Sequence, residues 1–323
     1  MDKIIDIDVN RINVHQAELD AKDLAEKLNF KAKECEEIRL IASELADNVL
    51  KHSSRGTIQI SAEDEGGYIE IISKNRGDLT GKDFIDGSSS KGTLGIGLGM
   101  IGRLSDEVSY ETHDGWVEIK AIKFRSSSPK KIETAALSYG LMGGRANGDE
   151  FLSIQRSNSL FLALIDVLGH GRNAHEIAVE AKRFLEDQHY LKLDEIMNNL
   201  HDHLRGDRGA MVELMRLDLN KKILEFCGVG DVSCRIYSGN NKRSIPIFTV
   251  DGIVGETLRK TNLQRLELPE DAVIAMFSDG ISQSFDVPIG LRKFSSVRLV
   301  HELMQKYGKS HDDRTLLITK INS

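Results

Sequence analysis

The fold of the second half of the chain is decided by the stretch Leu160-Phe-Leu-Ala-Leu-Ile-Asp-Val-Leu-Gly-His-Gly171. An apolar run, Leu160–Ile165, is followed directly by the carboxylate of Asp166 and then by a glycine-rich turn. Short apolar runs bounded by turn residues are typical of buried strands. The pattern therefore predicts a core strand that ends in a charged side chain at the rim of a sheet. A carboxylate that is desolvated there without a partner is costly.

Three further acidic sites also place a carboxylate beside turn residues. They are Gly148-Asp149, Ser278-Asp279-Gly280 and Asp312-Asp313-Arg-Thr315. Several such carboxylates at one rim would repel one another unless cations neutralise them, and all-oxygen ligands favour Mg²⁺ or Mn²⁺ over zinc. Two bridged metals would lower the pKa of a shared water and clamp a phosphoryl group for in-line attack. The alternative is that Asp-Gly pairs are simply turns, which explains any one site better than it explains the four together.

Residues 136–323 resemble the SpoIIE/RsbX branch of the PPM-type, metal-dependent Ser/Thr protein phosphatases. That branch carries, in this order, a Gly-Asp, an Asp-Gly-x-Gly-His-Gly, a Ser-Asp-Gly and a terminal Asp-Asp-x-Thr. The resemblance implies a β-sandwich flanked by helices, with a two-metal site that holds Mn²⁺ or Mg²⁺. It assigns metal binding and catalysis to Asp149, Asp166, Asp279 and Asp312, and a further metal ligand to the backbone carbonyl of Val167.

Two residues depart from the pattern of that branch. Val167 replaces its usual glycine, a change that a carbonyl ligand tolerates if the φ angle stays negative. Asp231, in Gly228-Val-Gly-Asp231, stands where an asparagine is common. His170 either orients water or phosphate or is only a structural turn residue.

The first half of the chain carries two features that suit a nucleotide. Glu44 and Asn48 are spaced i, i+4 and share one helix face, so Asn48 can hold Mg²⁺ through its carbonyl oxygen and Glu44 can act as a base. A glycine-rich run offers bare backbone N–H groups to phosphates at a helix start, through Gly92, Thr93, Gly95, Gly97 and Gly99. Taken singly, the pair also fits a polar helix face, and the run also fits a mobile loop.

Together, the segments Glu44–Asn48 and Gly92–Glu107 resemble the GHKL ATP-binding fold of RsbT-type anti-sigma kinases. This resemblance covers the region from residue 10 to residue 124 and implies an α/β sandwich that binds ATP with Mg²⁺.

The adenine pocket of that fold carries Asp-x-Gly-x-Gly, where this chain has Ser73-Lys-Asn-Arg-Gly77. Ser73 replaces the carboxylate that contacts adenine, Asn75 replaces the first glycine, and Gly77 keeps the second. Losing a charge-assisted hydrogen bond costs on the order of 1–2 kcal/mol, or tenfold in affinity.

The composition favours two globular domains. The chain has 323 residues, of which 40% are hydrophobic and 29% charged, as in ordinary soluble proteins. The polar stretch Arg125-Ser-Ser-Ser-Pro-Lys-Lys131 predicts a linker at 125–135 between a domain at 1–124 and a domain at 136–323. Helices and an antiparallel sheet are predicted before the linker, and many short strands with few helices after it. The fold class is therefore α+β, and we expect the second domain to fold by itself.

Charge and cysteine content exclude other classes of protein. A net charge of −7 argues against a nucleic-acid partner. The three cysteines are an odd number without CxxC spacing, which favours a reducing cytoplasm. The longest apolar runs are far shorter than the ~18 residues that cross a bilayer, and the N-terminus lacks a signal-peptide pattern. We expect a cytoplasmic protein without a membrane partner, and the sequence does not indicate its oligomeric state.

Fusions of a GHKL domain to a SpoIIE-like phosphatase resemble partner-switching regulators. That resemblance implies STAS-type anti-sigma antagonists or stressosome phosphoproteins as partners. The leading hypothesis is a switch in which the second domain dephosphorylates Ser or Thr, while the first binds ATP and phosphorylates the same class of target. Two alternatives remain open. The first domain is either a module that sequesters a partner without catalysis, or an ATP sensor that gates the phosphatase.

Overall fold

The computed structural model describes residues 3–9, 14–52, 56–62, 67–76, 94–113, 115–125, 132–141, 146–156, 158–239, 241 and 243–322. The chain divides into two compact units. The first unit is Met1–Leu137 with Phe294–Glu302, and the second is Ser138–Lys293 with Leu303–Ser323.

The first unit is an antiparallel sheet with helices. Its strands are β1 (Lys3–Val9), β2 (Gly56–Ala62), β3 (Tyr68–Arg76), β4 (Glu107–His113) and β5 (Trp116–Phe124), and its complete helices are α1 (Val14–Lys27), α2 (Ala32–His52) and α3 (Leu94–Leu104). The strands pair in the order β1-β2-β3-β5-β4. Alternate strand residues such as Ile58, Ile60 and Ile71 are buried, and α2 packs against β3 with its own apolar stripe.

The second unit contains two antiparallel sheets. Strand β6 (Ile132–Tyr139) runs from the first unit into the second. The further strands are β7 (Asp149–Arg156), β8 (Ser159–Val167), β9 (Ala210–Asp218), β10 (Ile223–Val229), β11 (Ser233–Ser238), β12 (Gln264–Glu267), β13 (Ala272–Phe277) and β14 (Arg314–Ile321). One sheet has the order β12-β10-β9-β8-β7. In the other, β13 pairs with both β11 and β14.

Two helices cover the outer face of the five-stranded sheet. They are α4 (Arg172–Gln188) and α5 (Leu193–His203), while a last helix, α6 (Ser296–Tyr307), precedes β14. Ala163, Ile165 and Val212 on the strands share one buried cluster with Ile177 and Leu200 on the helices. Because side chains alternate along a strand, Leu164, Asp166 and their neighbours at every second position point to the opposite face.

The predicted α+β class is confirmed, with helices and an antiparallel sheet before the linker and many short strands after it. Patterns in the sequence do not predict β1, β4, β7 or β12. Residues 132–135, the end of the predicted linker, lie in β6, and 126–131 fall outside the described residues. Residues 294–302, expected in the second domain, group with the first unit. No helix within the described ranges is long and apolar enough to cross a membrane.

Candidate active site

Two of the predicted carboxylates lie side by side in the second unit. Asp149 begins β7 and Asp166 comes near the end of β8, and the two are direct partners in the antiparallel ladder. Both are buried, with 2% of Asp149 and 8% of Asp166 exposed. Directly opposed residues have side chains on the same face of a sheet, so the hairpin β7–β8 delivers two carboxylates to one point. The ladder partner of Asp166 is therefore a second carboxyl group rather than a cation.

A closed ring of hydrogen bonds fixes Asp149 and joins the two sheets. Ser278, which follows β13, donates to Oδ2 of Asp149 at 2.6 Å and accepts the N–H of Thr315 at 2.9 Å. The hydroxyls of Thr315 and Ser138 lie 2.7 Å apart, and Nδ2 of Asn147 donates to Ser138 at 2.6 Å. Oδ1 of Asn147 accepts the N–H of Asp149 at 3.0 Å. The ring places Asp279, next to Ser278, at the same edge as Asp149.

The carboxylates at this edge act on one another electrostatically. Burial raises the pKa of Asp166 to about 7, with added repulsion from Asp279 and Asp312. Burial and then the charge of Asp166 hold the pKa of Asp149 well above its usual value. The pKa of Asp279 is also raised, first by burial and then by Asp312, although Lys309 opposes the shift. The four residues predicted to bind metal therefore form one cluster.

A divalent cation fits the chemistry of this cluster. The donors are all oxygens, which suits Mg²⁺ or Mn²⁺, and Oδ2 of Asp166 is buried without a hydrogen-bond partner in the described part of the chain. Among the described residues, however, no three Asp, Glu, His or Cys side chains are already spaced to hold a metal. The side chains of the cluster must therefore move before three of them can hold one ion.

The turn after β8 fits its predicted role. Val167 is not among the residues with positive φ, whereas Gly169 and Gly171 have φ angles of 88° and 87°. Valine is therefore compatible with the place where a carbonyl ligand is predicted, and the two glycines supply the left-handed turn. His170 lies between them and is exposed.

Asp313 and His175 are site residues that the sequence analysis did not identify. Asp313 is 6% exposed and accepts the N–H groups of Leu141 at 2.6 Å and Gly148 at 2.8 Å. Nδ1 of His175, in the first turn of α4, lies 3.0 Å from the carbonyl oxygen of Asn147. The Asp-Asp pair before Thr315 was the signal for Asp313, but only the fold shows that it binds backbone groups.

Asp231 and Lys309 border the cluster. The charge of Asp231 contributes to the raised pKa of Asp279, although Asp231 itself is exposed. Nζ of Lys309 donates to the backbone carbonyl of Asp279. A cation is therefore held beside the carboxylate that follows β13.

In the first unit, two predicted nucleotide-binding side chains are buried without partners. Asn48 on α2 is 5% exposed and Ser73 on β3 is 1% exposed. Nδ2 of Asn48 and Oγ of Ser73 have no hydrogen-bond partner within the described ranges. Glu44, one turn before Asn48, has a pKa raised by burial. Buried polar groups are normally hydrogen-bonded, so the two orphaned atoms suit a polar ligand.

The predicted phosphate-binding run is partly helical. Because α3 begins at Leu94, Gly95 lies in its first turn, where N–H groups have no acceptor within the helix. Gly97 and Gly99 lie further along, and the N–H of Gly99 is ordinarily bonded to the carbonyl four residues earlier. Gly77, Gly92 and Thr93 lie outside the described residues. The phosphate-binding role of these glycines stays a prediction, and Gly95 is placed in the first turn of the helix.

Two joined sheets, carboxylates gathered at one edge and helices on the outer face define a phosphatase of the PP2C, or PPM, class. The chain belongs to the Stage II sporulation protein E (SpoIIE) family, whose model matches residues 156–322. Residues 9–123 match the histidine kinase-like ATPase domain, the GHKL-type fold predicted from the sequence. The second unit is therefore a PPM-type serine phosphatase domain of the SpoIIE kind.

Individual relatives agree with this assignment. The phosphoserine phosphatase RsbX of Bacillus subtilis (strain 168) is 21% identical over 192 residues, which are 59% of this chain and 96% of RsbX. A crystal structure of RsbX with magnesium has a TM-score of 0.54 at 20% identity, covering 61% of this chain and 98% of that one. A structure from work on the bacterial stressosome has a TM-score of 0.54 at 28% identity, with coverages of 58% and 99%.

Proposed function

We propose that the second unit removes phosphate from Ser or Thr of a regulatory phosphoprotein, with two divalent cations, Mn²⁺ or Mg²⁺, held at the carboxylate cluster. The observation that carries the proposal is the buried pair Asp149–Asp166 with its orphaned oxygen and raised pKa values. Bound cations would neutralise this charge and supply an activated water. The magnesium-bound structure of RsbX supports the choice of metal.

In this proposal each protein group has a distinct task. Asp149, Asp166, Asp279, Asp312 and the carbonyl of Val167 hold the ions. Ser278 and Asn147 fix the orientation of Asp149 through the ring of hydrogen bonds. Lys309 holds the backbone at Asp279. These groups fix Asp149 and the backbone at Asp279, while the other ligand side chains move to close around the ions.

The test is hydrolysis of an aryl phosphate by the full chain with Mn²⁺, with Mg²⁺, and with chelator. We expect activity only with metal, and Asp166→Ala and Asp279→Ala should each lower the rate at least about a hundredfold, because each removes charge from the metal centre. Asp187→Ala, at the far end of α4 and exposed, is the matched control and should be unaffected. Full activity of Asp166→Ala in chelator-treated buffer would contradict the proposal.

We further propose that the phosphoprotein belongs to a partner-switching system, as a STAS-type antagonist or a stressosome protein, and that the chain works in the cytoplasm. Likeness to RsbX and to a structure from stressosome work supports this class of partner. All three cysteines are free, which suits a reducing compartment. The test is release of phosphate from phosphorylated STAS proteins. If unrelated phosphoproteins lose phosphate at the same rate, the partner assignment is wrong, but the proposed phosphatase activity still stands.

For the first unit we propose binding of ATP with Mg²⁺, supported by the match to the ATPase domain and by the orphaned atoms of Asn48 and Ser73. Ser73→Asp is expected to tighten ATP binding about tenfold, because a carboxylate makes a charge-assisted hydrogen bond to the adenine amino group. Without ATP the same variant should melt earlier, because the new charge is buried. Calorimetric titration of the full chain measures the affinity, with Ser73→Ala as control. Unchanged affinity would mean that adenine is bound elsewhere.

A further inference from the structure

An arginine, Arg208, lies beside the turn that follows Asp166 and Val167 at the end of β8. It stands in the turn between α5 and β9 and is exposed. The ladder between β8 and β9 pairs Asp166 with Met211 and Val167 with Ala210, and Leu168 donates to the carbonyl of Gly209 at 2.9 Å. Arg208 is the next residue beyond this pairing. It is therefore located on the metal-site edge of the sheet.

The guanidinium of Arg208 lies across the turn that follows the predicted metal ligands. Nη1 is 3.4 Å from the carbonyl oxygen of Leu168, a distance at the long limit of a hydrogen bond. A Cβ atom on Gly169 would come within 2.4 Å of Nη1. Because Gly169 has no side chain, the guanidinium of Arg208 fits beside it. Gly169 itself directly follows Leu168 and precedes His170.

Arg208 differs from the arginines around it in having no acidic partner. Arg172, on the other side of the turn, pairs with Glu176 at 2.9 Å, and Arg205 pairs with Asp202 at 3.2 Å. No carboxylate lies within ion-pairing distance of Arg208 among the described residues. Its charge is therefore available to a ligand.

We propose that Arg208 binds the phosphoryl group of the substrate, and inorganic phosphate as the product, through its guanidinium. This inference rests on the proposed phosphatase function. A phosphomonoester that approaches a cluster of carboxylates meets repulsion until the metals and another cation offset it. The planar fork of arginine matches phosphate oxygens in a bidentate manner, which lysine does not. The weak contact to Leu168 can be exchanged for this stronger one, whereas Nζ of Lys309 is already used by the carbonyl of Asp279.

The experiment measures aryl phosphate hydrolysis by the full chain with Mn²⁺, and its competitive inhibition by inorganic phosphate. Arg208→Ala should weaken phosphate inhibition at least about tenfold and raise KM similarly, because a hydrogen-bonded ion pair is lost. Arg208→Gln, which can still donate to Leu168, should behave like the alanine variant, and Arg208→Lys should be intermediate. Arg205→Ala, in the same turn, is the matched control and should keep the wild-type constants.

The outcomes separate this inference from the proposed function. An active Arg208→Ala with wild-type phosphate inhibition overturns the role of Arg208 alone. A lower kcat that Arg208→Gln restores, with unchanged phosphate inhibition, also overturns it, because that pattern belongs to a structural contact with Leu168. A wild-type chain that hydrolyses no aryl phosphate with Mn²⁺ or Mg²⁺ overturns the proposed function, and the assignment of Arg208 with it. Melting curves of the variants should coincide with that of the wild type.

Discussion

Glu213 occupies the middle of β9 with 0% of its surface exposed, and neither carboxylate oxygen has a hydrogen-bond partner in the described part of the chain. Its ladder partners, Leu164 and Gly228, have no polar side-chain atom to offer it. Burial alone holds the pKa of Glu213 well above its ordinary value of 4.5, and the charge of Glu213 in turn contributes to the raised pKa of the Cys234 thiol. The folded protein therefore favours the protonated acid at this position.

Glu213→Gln is expected to flatten the dependence of stability on pH. A folded-state pKa above the unfolded value gives stability that is complete below the unfolded pKa and is lost as pH rises through the folded pKa. Wild-type unfolding free energy, measured with urea, should therefore fall more steeply than that of Glu213→Gln as the pH rises above the ordinary glutamate pKa of 4.5. Glu267→Gln, an exposed change on β12, is the control. If the unfolding free energies of the wild type and Glu213→Gln depend on pH in the same way, the ionisation of Glu213 does not destabilise the folded protein.

The two kinds of buried acid differ in what the sequence reveals about them. Asp149 and Asp166 stand beside turn residues, so a sequence pattern can predict that they reach a sheet edge. Glu213 stands within an otherwise apolar strand without a turn nearby, and its burial depends on the opposite sheet. Asn48 and Ser73 are intermediate cases. The spacing of Asn48 from Glu44 and the resemblance of Ser73–Gly77 to an adenine box predict a site, but neither predicts the missing hydrogen-bond partners. Only tertiary packing decides such features.

Among the elements, the start of β14 anchors the start of β7 through one side chain. Asp313 binds the N–H of Gly148, whose own carbonyl accepts the N–H of Val167. The carboxylate therefore fixes the backbone next to Asp149 and, through one further bond, the end of β8. Gly148 is suited to this position because a Cβ there would lie 3.2 Å from Oδ2 of Asp313 and 3.2 Å from the carbonyl of Gly169.

Asp313→Ala is expected to lower the unfolding free energy by about 2–5 kcal/mol, because a buried N–H group and a part-buried one lose their acceptor. Asp313→Asn keeps one acceptor oxygen and should cost less. Both variants should also need more Mn²⁺ for half-maximal activity, since the backbone beside Asp149 is less well fixed. Urea unfolding and metal titration of activity measure the two effects. If Asp313→Ala unfolds like the wild type, Asp313 does not anchor β7.

Element limits show where sequence patterns are sufficient. Strand β8 follows directly from the apolar run Leu160–Ile165. The sequence pattern does not predict strand β7, because charged residues stand at both of its ends. Its pairing with β8 stabilises the strand conformation that its own residues favour only weakly. The start of α3 inside the glycine-rich run is also set by context, because glycine disfavours helix by about 1 kcal/mol per residue. Packing of α3 against α2 offsets that cost.

At the scale of the whole molecule, the two units are not simply the first and second halves of the chain. Residues 294–302, at the start of α6, belong to the first unit, where Val297 occupies the space that a Cβ on Gly102 would need. The N–H of Ser296 is likewise bonded to Glu133 at 3.3 Å. No local signal in the sequence predicts this exchange, because α6 lies far beyond the linker. The linker at 125–135 therefore remains a prediction. A chain that starts near residue 130 lacks the residues of the first unit against which the start of α6 packs.

We propose that the two units carry opposing activities, in which the first transfers the phosphate that the second removes. Glu44 lies one helical turn before Asn48 on α2, so it can face the γ-phosphate while Asn48 holds Mg²⁺. Burial raises the pKa of Glu44, which brings it nearer to that of an effective general base. A carboxylate in that position can take the proton of an incoming Ser hydroxyl.

Mutations are then expected to affect ATP binding and phosphate transfer differently. Glu44→Ala should keep ATP affinity nearly intact, because an acceptor beside a polyanion contributes little attraction, but it should eliminate phosphate transfer to a STAS protein. Asn48→Ala should lose both, since the metal anchors the nucleotide. Hydrolysis of aryl phosphate should persist in both variants, because their residues lie outside the second unit. The decisive assay follows labelled phosphate from ATP to STAS proteins in an Asp166→Ala background, which prevents removal of the product. If no STAS protein is labelled while ATP still binds, the first unit is an ATP sensor or a docking module rather than a kinase.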